Sequence, residues 1–396
     1  MTGFRILREP RQYPAAFWGA LAAELVVQTG FGAILPLLPQ FVRSHGFPLA
    51  DMGLMAASYA AVSFLAQAWL GGVADRWGRK RLMVAGGMVE TLGTAGFLLR
   101  LHPAGYIGCR ILQGVGSAAV VPAANALVAD VVDEDRRGRA YGLMAAAGSA
   151  GFAIGPMMGG VAGAAWGLAA PFVVGVILNL IATVVMMLTL PTTRLNRRPV
   201  RMAHQSLSLL LRPIWPYFWV MFAWMGLSGM YDTTWSLYME SLGAGKWVIG
   251  LSFTLFALPL LLFNVLGGRL ADRRLQRHWI ILAGTGLQTM TVAFYVVSHS
   301  AWLSIAVSVL EAAAMSLTGP ALSASVMDTV SSEHYGAVQG WFQASGTLGA
   351  AMLALASGPL LVGHANHPFI LGSALLLVTT LGVAGVWRPW RRRTEL

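Results

Sequence analysis

Gly71-Gly72-Val73-Ala74-Asp75-Arg76 closes one long apolar stretch of the chain, and Gly268-Arg269-Leu270-Ala271-Asp272-Arg273 closes another, 197 positions later. A second match is longer. Asp130 through Gly142 aligns without a gap to Asp328 through Gly340 at an offset of 198, pairing Asp130 with Asp328, Gly138 with Gly336 and Gly142 with Gly340. Pro122 and Pro320 share that offset of 198. Two matches at nearly one spacing mean that a unit about half the chain long is present twice.

Apolar sequence surrounds both matches. A run of about 18 or more apolar residues is long enough to cross the hydrocarbon core of a bilayer as a helix. Twelve such runs occur: 16–41, 50–72, 82–101, 104–129, 140–163, 169–190, 216–241, 247–268, 279–298, 302–327, 337–360 and 368–387. In lipid each must satisfy its own backbone hydrogen bonds, which requires helices. The expected fold is an all-α membrane protein with 12 transmembrane helices in two pseudo-symmetric six-helix bundles: residues 1–190, a cytoplasmic linker at 191–215, and residues 216–396.

Composition points the same way. Of 396 residues, 56% are hydrophobic and 11% charged, against about 25% charged in soluble domains. That excludes an ordinary cytosolic enzyme and a disordered chain. The single cysteine, Cys109, excludes intrachain disulfides and cysteine-rich metal sites. The net charge of +11 sits in short runs between apolar segments, which sets topology rather than forming a nucleic-acid-binding stripe. With both termini cytoplasmic, 23 of the 27 basic residues fall on the cytoplasmic side; Arg43, Arg100 and Lys246 fall outside, and Arg110 lies within a span. The N-terminal segment with Arg5, Arg8 and Arg11 has no small-residue cleavage site, so the first span is expected to stay in place.

Gly71-x-x-x-Asp75-Arg76-x-Gly78-Arg79-Lys80 resembles the signature loop of the major facilitator superfamily. Arg110-x-x-Gln113-Gly114-x-Gly116 resembles its second motif, Gly155-Pro156-x-x-Gly159-Gly160 its antiporter motif, and Pro36-x-x-Pro39 a further one. The resemblance covers the whole chain and is closest to the twelve-helix drug:proton antiporter group. The second-half loop departs from the pattern, with Leu275 where glycine belongs. The resemblance implies a cytoplasmic gate at the loop, with Asp75 and Arg76 in the motif. Because a helix N-terminus favours an anion, Asp75 is expected to accept from backbone N–H groups at the start of span 11, and Arg79 is expected to pair with Asp130 at the cytoplasmic end of span 4. These contacts are expected to close the cytoplasmic side and to break as it opens. In span 5, Gly151, Gly155, Gly159 and Gly163 recur every four residues beside Pro156 and Gly160. Such a side-chain-free stripe permits close helix packing, and it is expected to face a helix of the other half as a sliding seam.

Ionisable groups inside spans are functional candidates by default. They are Glu24, Glu90, Arg110, Asp232 and Glu311. Burial disfavours a carboxylate's charge and a nearby cation favours it, so an acid poised between the two can load a proton on one side and lose it on the other. Glu24, Arg110, Glu311 and Asp232 are the expected proton-coupling set, with Glu24 and Arg110 approaching near the midplane. Glu90 is placed lower because span 3 is usually peripheral in this family. Gln28, Gln113, Tyr231 and Trp235 are the expected substrate contacts. Trp224, Tyr231, Trp235 and Tyr238 share one helical face; it is either an interfacial aromatic belt or a wall that takes flat cations.

His364 and His367 lack acidic partners and read as a solvated loop rather than a metal site. No P-loop occurs, so ATP cannot drive transport by this chain; no cofactor and no catalytic residue are expected. Partners are a small-molecule substrate, protons and the lipid bilayer; the protein is expected as a monomer in a bacterial inner membrane. The expected activity is proton-coupled efflux of drug-like amphiphiles. The alternatives are export of a specific metabolite (a sugar, siderophore or amino-acid derivative) and a non-transporting membrane sensor or enzyme on the same fold.

Overall fold

The computed structural model describes residues 13–133, 136–192, 215–271, 277–328 and 335–391. Among them run twelve long helices: α1 (Ala15–Ile34), α2 (Met52–Trp77), α3 (Arg79–Gly96), α4 (Pro103–Val131), α5 (Arg137–Trp166), α6 (Ala170–Thr189), α7 (Trp215–Ser241), α8 (Lys246–Ala271), α9 (Arg277–Val297), α10 (Ala301–Met327), α11 (Tyr335–Leu361) and α12 (His367–Arg391). α1 continues through a 3-10 turn, Leu35–Leu37, into a short helix, Leu38–Ser44. Pro36 and Pro39 sit at these joints, where each removes a backbone donor from the regular helical ladder. Between α2 and α3 the chain turns at Gly78 with φ 89°, a conformation that glycine adopts at no steric cost; the loop motif needs its glycine for this reason.

Ten of these helices carry a window apolar enough and poor enough in charge to cross a membrane; α3 and α7 do not. α3 contains Arg79, Lys80, Arg81 and Glu90, and α7 is rich in tryptophan and tyrosine. Large apolar side chains such as Leu92, Leu188, Met290 and Leu381 stand exposed on α3, α6, α9 and α12. Exposed apolar side chains in this number suit contact with lipid.

Packing repeats with the sequence. α1 packs on α5 and α6, α2 and α3 on α4, and α3 on α6; α7 packs on α11, α8 and α9 on α10, and α9 on α12. Across the halves, α5 meets α8 and α2 meets α11. We call the membrane side where α1 begins and α12 ends the terminal side, and its opposite the far side.

The far side is closed. Arg43 at the end of the α1 extension binds both carboxylate oxygens of Glu240 on α7, at 2.6 and 2.8 Å. Lys246 at the start of α8 donates to the Gly163 carbonyl near the end of α5 at 3.2 Å. Thr254 on α8 donates to the Ala153 carbonyl at 2.7 Å. Leu237 and Leu361 of the second half join an apolar cluster built on Ile34, Phe41 and Phe172 of the first.

The glycine stripe on α5 corrects one expectation. Gly151, Gly155 and Gly159 press against α1 of their own half: a Cβ on Gly155 would lie 2.9 Å from the Ala33 amide nitrogen, and one on Gly151 3.0 Å from the Thr29 nitrogen. The seam with the other half lies one residue further round. A Cβ on Gly160 would be 2.8 Å from Gly250 Cα on α8, and Gly250 also abuts the Pro156 carbonyl. Consecutive helical residues point about 100° apart, so residues one step from the stripe face a different neighbour.

Candidate transport site

A cavity of about 470 Å³ lies between the halves, lined by Glu24 and Gln28 of α1, Val121 and Asn125 of α4, Tyr141 through Phe152 along one face of α5, and Ala257 and Leu260 of α8. Its mouth is on the terminal side, where Asn125 and Tyr141 are exposed. One helical turn separates Glu24 from Gln28, and the Gln28 amide donates to Glu24 Oε1 at 2.9 Å. Gly148 opens space beside that carboxylate; a Cβ there would stand 3.1 Å from Glu24 Oε1. The chamber therefore offers one acid and two amides, Gln28 and Asn125, on an otherwise largely apolar wall. Of the four expected substrate contacts, only Gln28 lines it.

The remaining charges lie deeper. Arg110 is buried on α4; its guanidinium sits 4.4 Å from the Tyr59 ring centroid and donates to Gln113 Oε1 at 3.0 Å. Gln113 in turn donates to Thr94 on α3 at 3.0 Å. The Arg110 Nε hydrogen has no acceptor among the described residues. Arg110 and Asp232 of α7 line one small closed space with Pro39 and Met55, so the two halves bring opposite charges towards each other beneath the far-side closure. The expected approach of Arg110 to Glu24 is not made in this conformation: the hydrogen bonds of Glu24 and Arg110 go to Gln28 and Gln113, each on its own helix.

Glu311 on α10 is wholly buried. It accepts from the Tyr231 hydroxyl at 2.7 Å, the Tyr295 hydroxyl at 2.9 Å and the Gln288 amide at 3.4 Å. Tyr231 is thus turned to an acid of its own half, and Trp235 donates to Ser252 at 2.9 Å. Tyr231, Trp235, Tyr238, Tyr295 and Phe369 form one aromatic cluster inside the second half, with Trp235 and Tyr295 centroids 5.1 Å apart. Neither a belt at the water boundary nor a cavity wall describes that cluster here.

The model of the Major Facilitator Superfamily matches residues 20–245 and 225–396. The chain belongs to the major facilitator superfamily. It is a membrane transporter, not an enzyme. It is 28% identical over 376 residues to multidrug resistance protein 2 of Bacillus subtilis, covering 91% of this chain and 92% of that one. It is 27% identical over 356 residues to the class C tetracycline resistance protein of Escherichia coli, covering 84% and 85%. Among solved structures, the nucleoside transporter NupG superposes with TM-score 0.79 at 12% identity, covering 93% of this chain and 99% of that one. The human organic anion transporter MFSD10 superposes with TM-score 0.66 at 20% identity, also covering 93% and 99%. These two likenesses concern the fold.

Around the signature loop of the superfamily, Arg79 Nε donates to Asp130 Oδ2 at 3.2 Å. Both residues belong to the first half, and the pair is made while the cavity is open on that side. Opening therefore does not require it to break, contrary to the expectation from the sequence. The side chains of Asp75 and Arg76, the linker from 193 to 214 and the loop copy from 272 to 276 lie outside the described residues. Sequence reading missed the counterpart of the pair. Arg277 donates to Asp328 at 2.5 Å, and each partner stands 198 positions beyond Arg79 and Asp130. The loop copies match at an offset of 197 through Asp272 and Arg273, and the extra residue before Arg277 hides the pair from that register. Tyr295, Gln288 and Glu240 were missed as well. An offset of 198 carries Glu90 onto Gln288 and Gln113 onto Glu311, which was the available signal for Gln288.

Proposed function

We propose that the chain is a proton-coupled antiporter that extrudes drug-like amphiphiles by alternating access, as a monomer in a bacterial inner membrane. The terminal side is the cytoplasm, so both termini are cytoplasmic; the placing of 23 of 27 basic residues supports this. The observation that carries the reading is the chamber between the halves, where the Glu24 carboxylate faces apolar side chains from both. An amphiphile with a cationic or donor group can rest its apolar body on Val121, Met144, Phe152 and Leu260 and its polar end on Glu24 and Gln28. The printed names of the two bacterial relatives, which concern resistance to drugs, support the substrate class.

In this reading Glu24, Arg110, Asp232 and Glu311 carry or tune the exchanged protons. Gln113, Tyr231 and Trp235 meet substrate only in other conformations. Asp75 and Arg76 shape the cytoplasmic gate and Arg79 and Asp130 brace the first half beside it, while Pro156 and Gly160 provide the close contact with α8 on which it moves and Gly151, Gly155 and Gly159 hold α5 against α1.

The test uses purified protein in liposomes, with ethidium as the probe and an imposed pH gradient. Glu24→Gln removes the charge and keeps size and hydrogen-bonding capacity. It should still bind ethidium but should move it no faster than passive leak. Full gradient-driven transport by Glu24→Gln would remove Glu24 from the coupling path. Wild-type transport indifferent to the pH gradient would sink the antiport reading itself.

A further inference from the structure

Glu90 on α3 is 3% exposed, and no hydrogen bond or ion pair reaches its carboxylate among the described residues. It sits where α3 and α4 pack tightly: a Cβ on Gly116 would fall 2.7 Å from Glu90 Cβ and from its backbone nitrogen. The charged and titratable groups facing it are Glu24 from α1, Tyr59 from α2 and Arg110 from α4; α6, which also packs on α3, carries none.

The duplication explains why this acid stands alone. The α9–α10 slots hold Gln288 and Glu311, and the equivalent α3–α4 slots hold Glu90 and Gln113, so the acid and the amide have exchanged helices. In the second half the acid receives two tyrosine hydroxyls. At the matching places in the first half, 198 before Tyr295 and 197 before Tyr231, stand Phe97 and Ile34, which donate nothing. A buried carboxylate ion without a donor is strongly disfavoured, and such a group takes up a proton instead. Close by, Arg110 keeps a buried Nε hydrogen with no acceptor among the described residues. An acid without a donor and a donor without an acceptor thus lie on two packed helices of the same half.

We propose that Glu90 is a second exchangeable-proton site, neutral in this conformation, which ionises against Arg110 when the far side opens. The O–H bond of the carboxyl breaks, the proton leaves to water, and the carboxylate accepts from the Arg110 guanidinium. This rests on the proton-antiport reading for its purpose, but not for its first test.

That test is the infrared carbonyl band of protonated carboxyl groups, recorded on detergent-solubilised protein. Glu90→Gln should delete one such band and Glu90→Asp should shift it. If Glu90→Gln does not fold, the Asp variant decides alone; an unmoved band in the variant that folds shows Glu90 to be ionised here and overturns the proposal. The second test is proton release into lightly buffered solution on adding ethidium. Release should fall by about one proton per ethidium in Glu90→Gln, because linkage requires a titrating group at each coupled step. Undiminished release overturns the exchange step. A wild type that releases no proton defeats the antiport reading instead, and leaves the infrared result to judge whether Glu90 is neutral.

Discussion

Arg43 and Lys246 stand out from the charge distribution, because basic residues are scarce on the far side of this chain. Each bonds across the two halves: Arg43 to both oxygens of Glu240, Lys246 to the Gly163 carbonyl. Their position follows from the contact rather than from membrane orientation. The Arg43–Glu240 pair is well exposed, with side chains 41% and 38% accessible. Exposed pairs contribute about 0.2–1 kcal/mol and are screened by salt. Breaking this one should therefore shift the ratio of far-side-open to far-side-closed molecules by about 1.4- to 5-fold, without unfolding either half. Arg43→Glu and Glu240→Arg should each lengthen spin-label distances across the far side, and the double variant should restore them. If the double variant is as open as the single ones, the pair does not act as a latch.

α5 shows what a helical period reveals and what it leaves open. The spacing of Gly151, Gly155 and Gly159 made the side-chain-free face legible in the sequence. The helix facing it was not, because a period fixes a face and says nothing of the neighbour. The stripe turned out to bind α1, and Gly160 beside it meets Gly250 of α8. The two faces should respond differently to one methyl group. Gly159→Ala would drive a Cβ into the Ala33 carbonyl within the first half. Overpacking of this kind costs about 1–3 kcal/mol, and thermal unfolding should occur at lower temperature. Gly160→Ala would instead crowd Gly250 across the moving seam, so its unfolding temperature should change little while the far side opens more readily. Equal thermal losses with unchanged distances would mean that both faces belong to one static interface. The same limit governs the buried acids. Glu311 could be picked out as an intramembrane charge, but Tyr295 and Gln288 come from α9 and meet it only through the packing of α9 on α10. No local pattern in α10 encodes those donors.

At the scale of the whole molecule, the repeat separates contacts that change in the transport cycle from contacts that persist. Alternating access rocks one bundle against the other, so bonds between halves must exchange while bonds within a half need not. Arg79–Asp130 joins α3 to α4, and Arg277–Asp328 joins α9 to α10. They are the same strut in two copies, both at the ends of helices on the terminal side. Their surroundings differ: side-chain exposure is 9% and 6% in the first copy, but 12% and 36% in the second. Losing a contact of a buried pair costs more, up to about 3–5 kcal/mol, than losing one of an exposed pair, which contributes about 0–1 kcal/mol. Asp130→Asn should therefore lower the unfolding temperature in detergent far more than Asp328→Asn, with far-side distances close to wild type in both. The alternative is that the first copy, beside the signature loop, works as a gate contact. Asp130→Asn would then leave the unfolding temperature near wild type and redistribute the distances between the halves, and the strut assignment would fail. The thermal measurement and the distance measurement on this pair of variants thus separate a bond that holds one bundle together from a bond that holds one state.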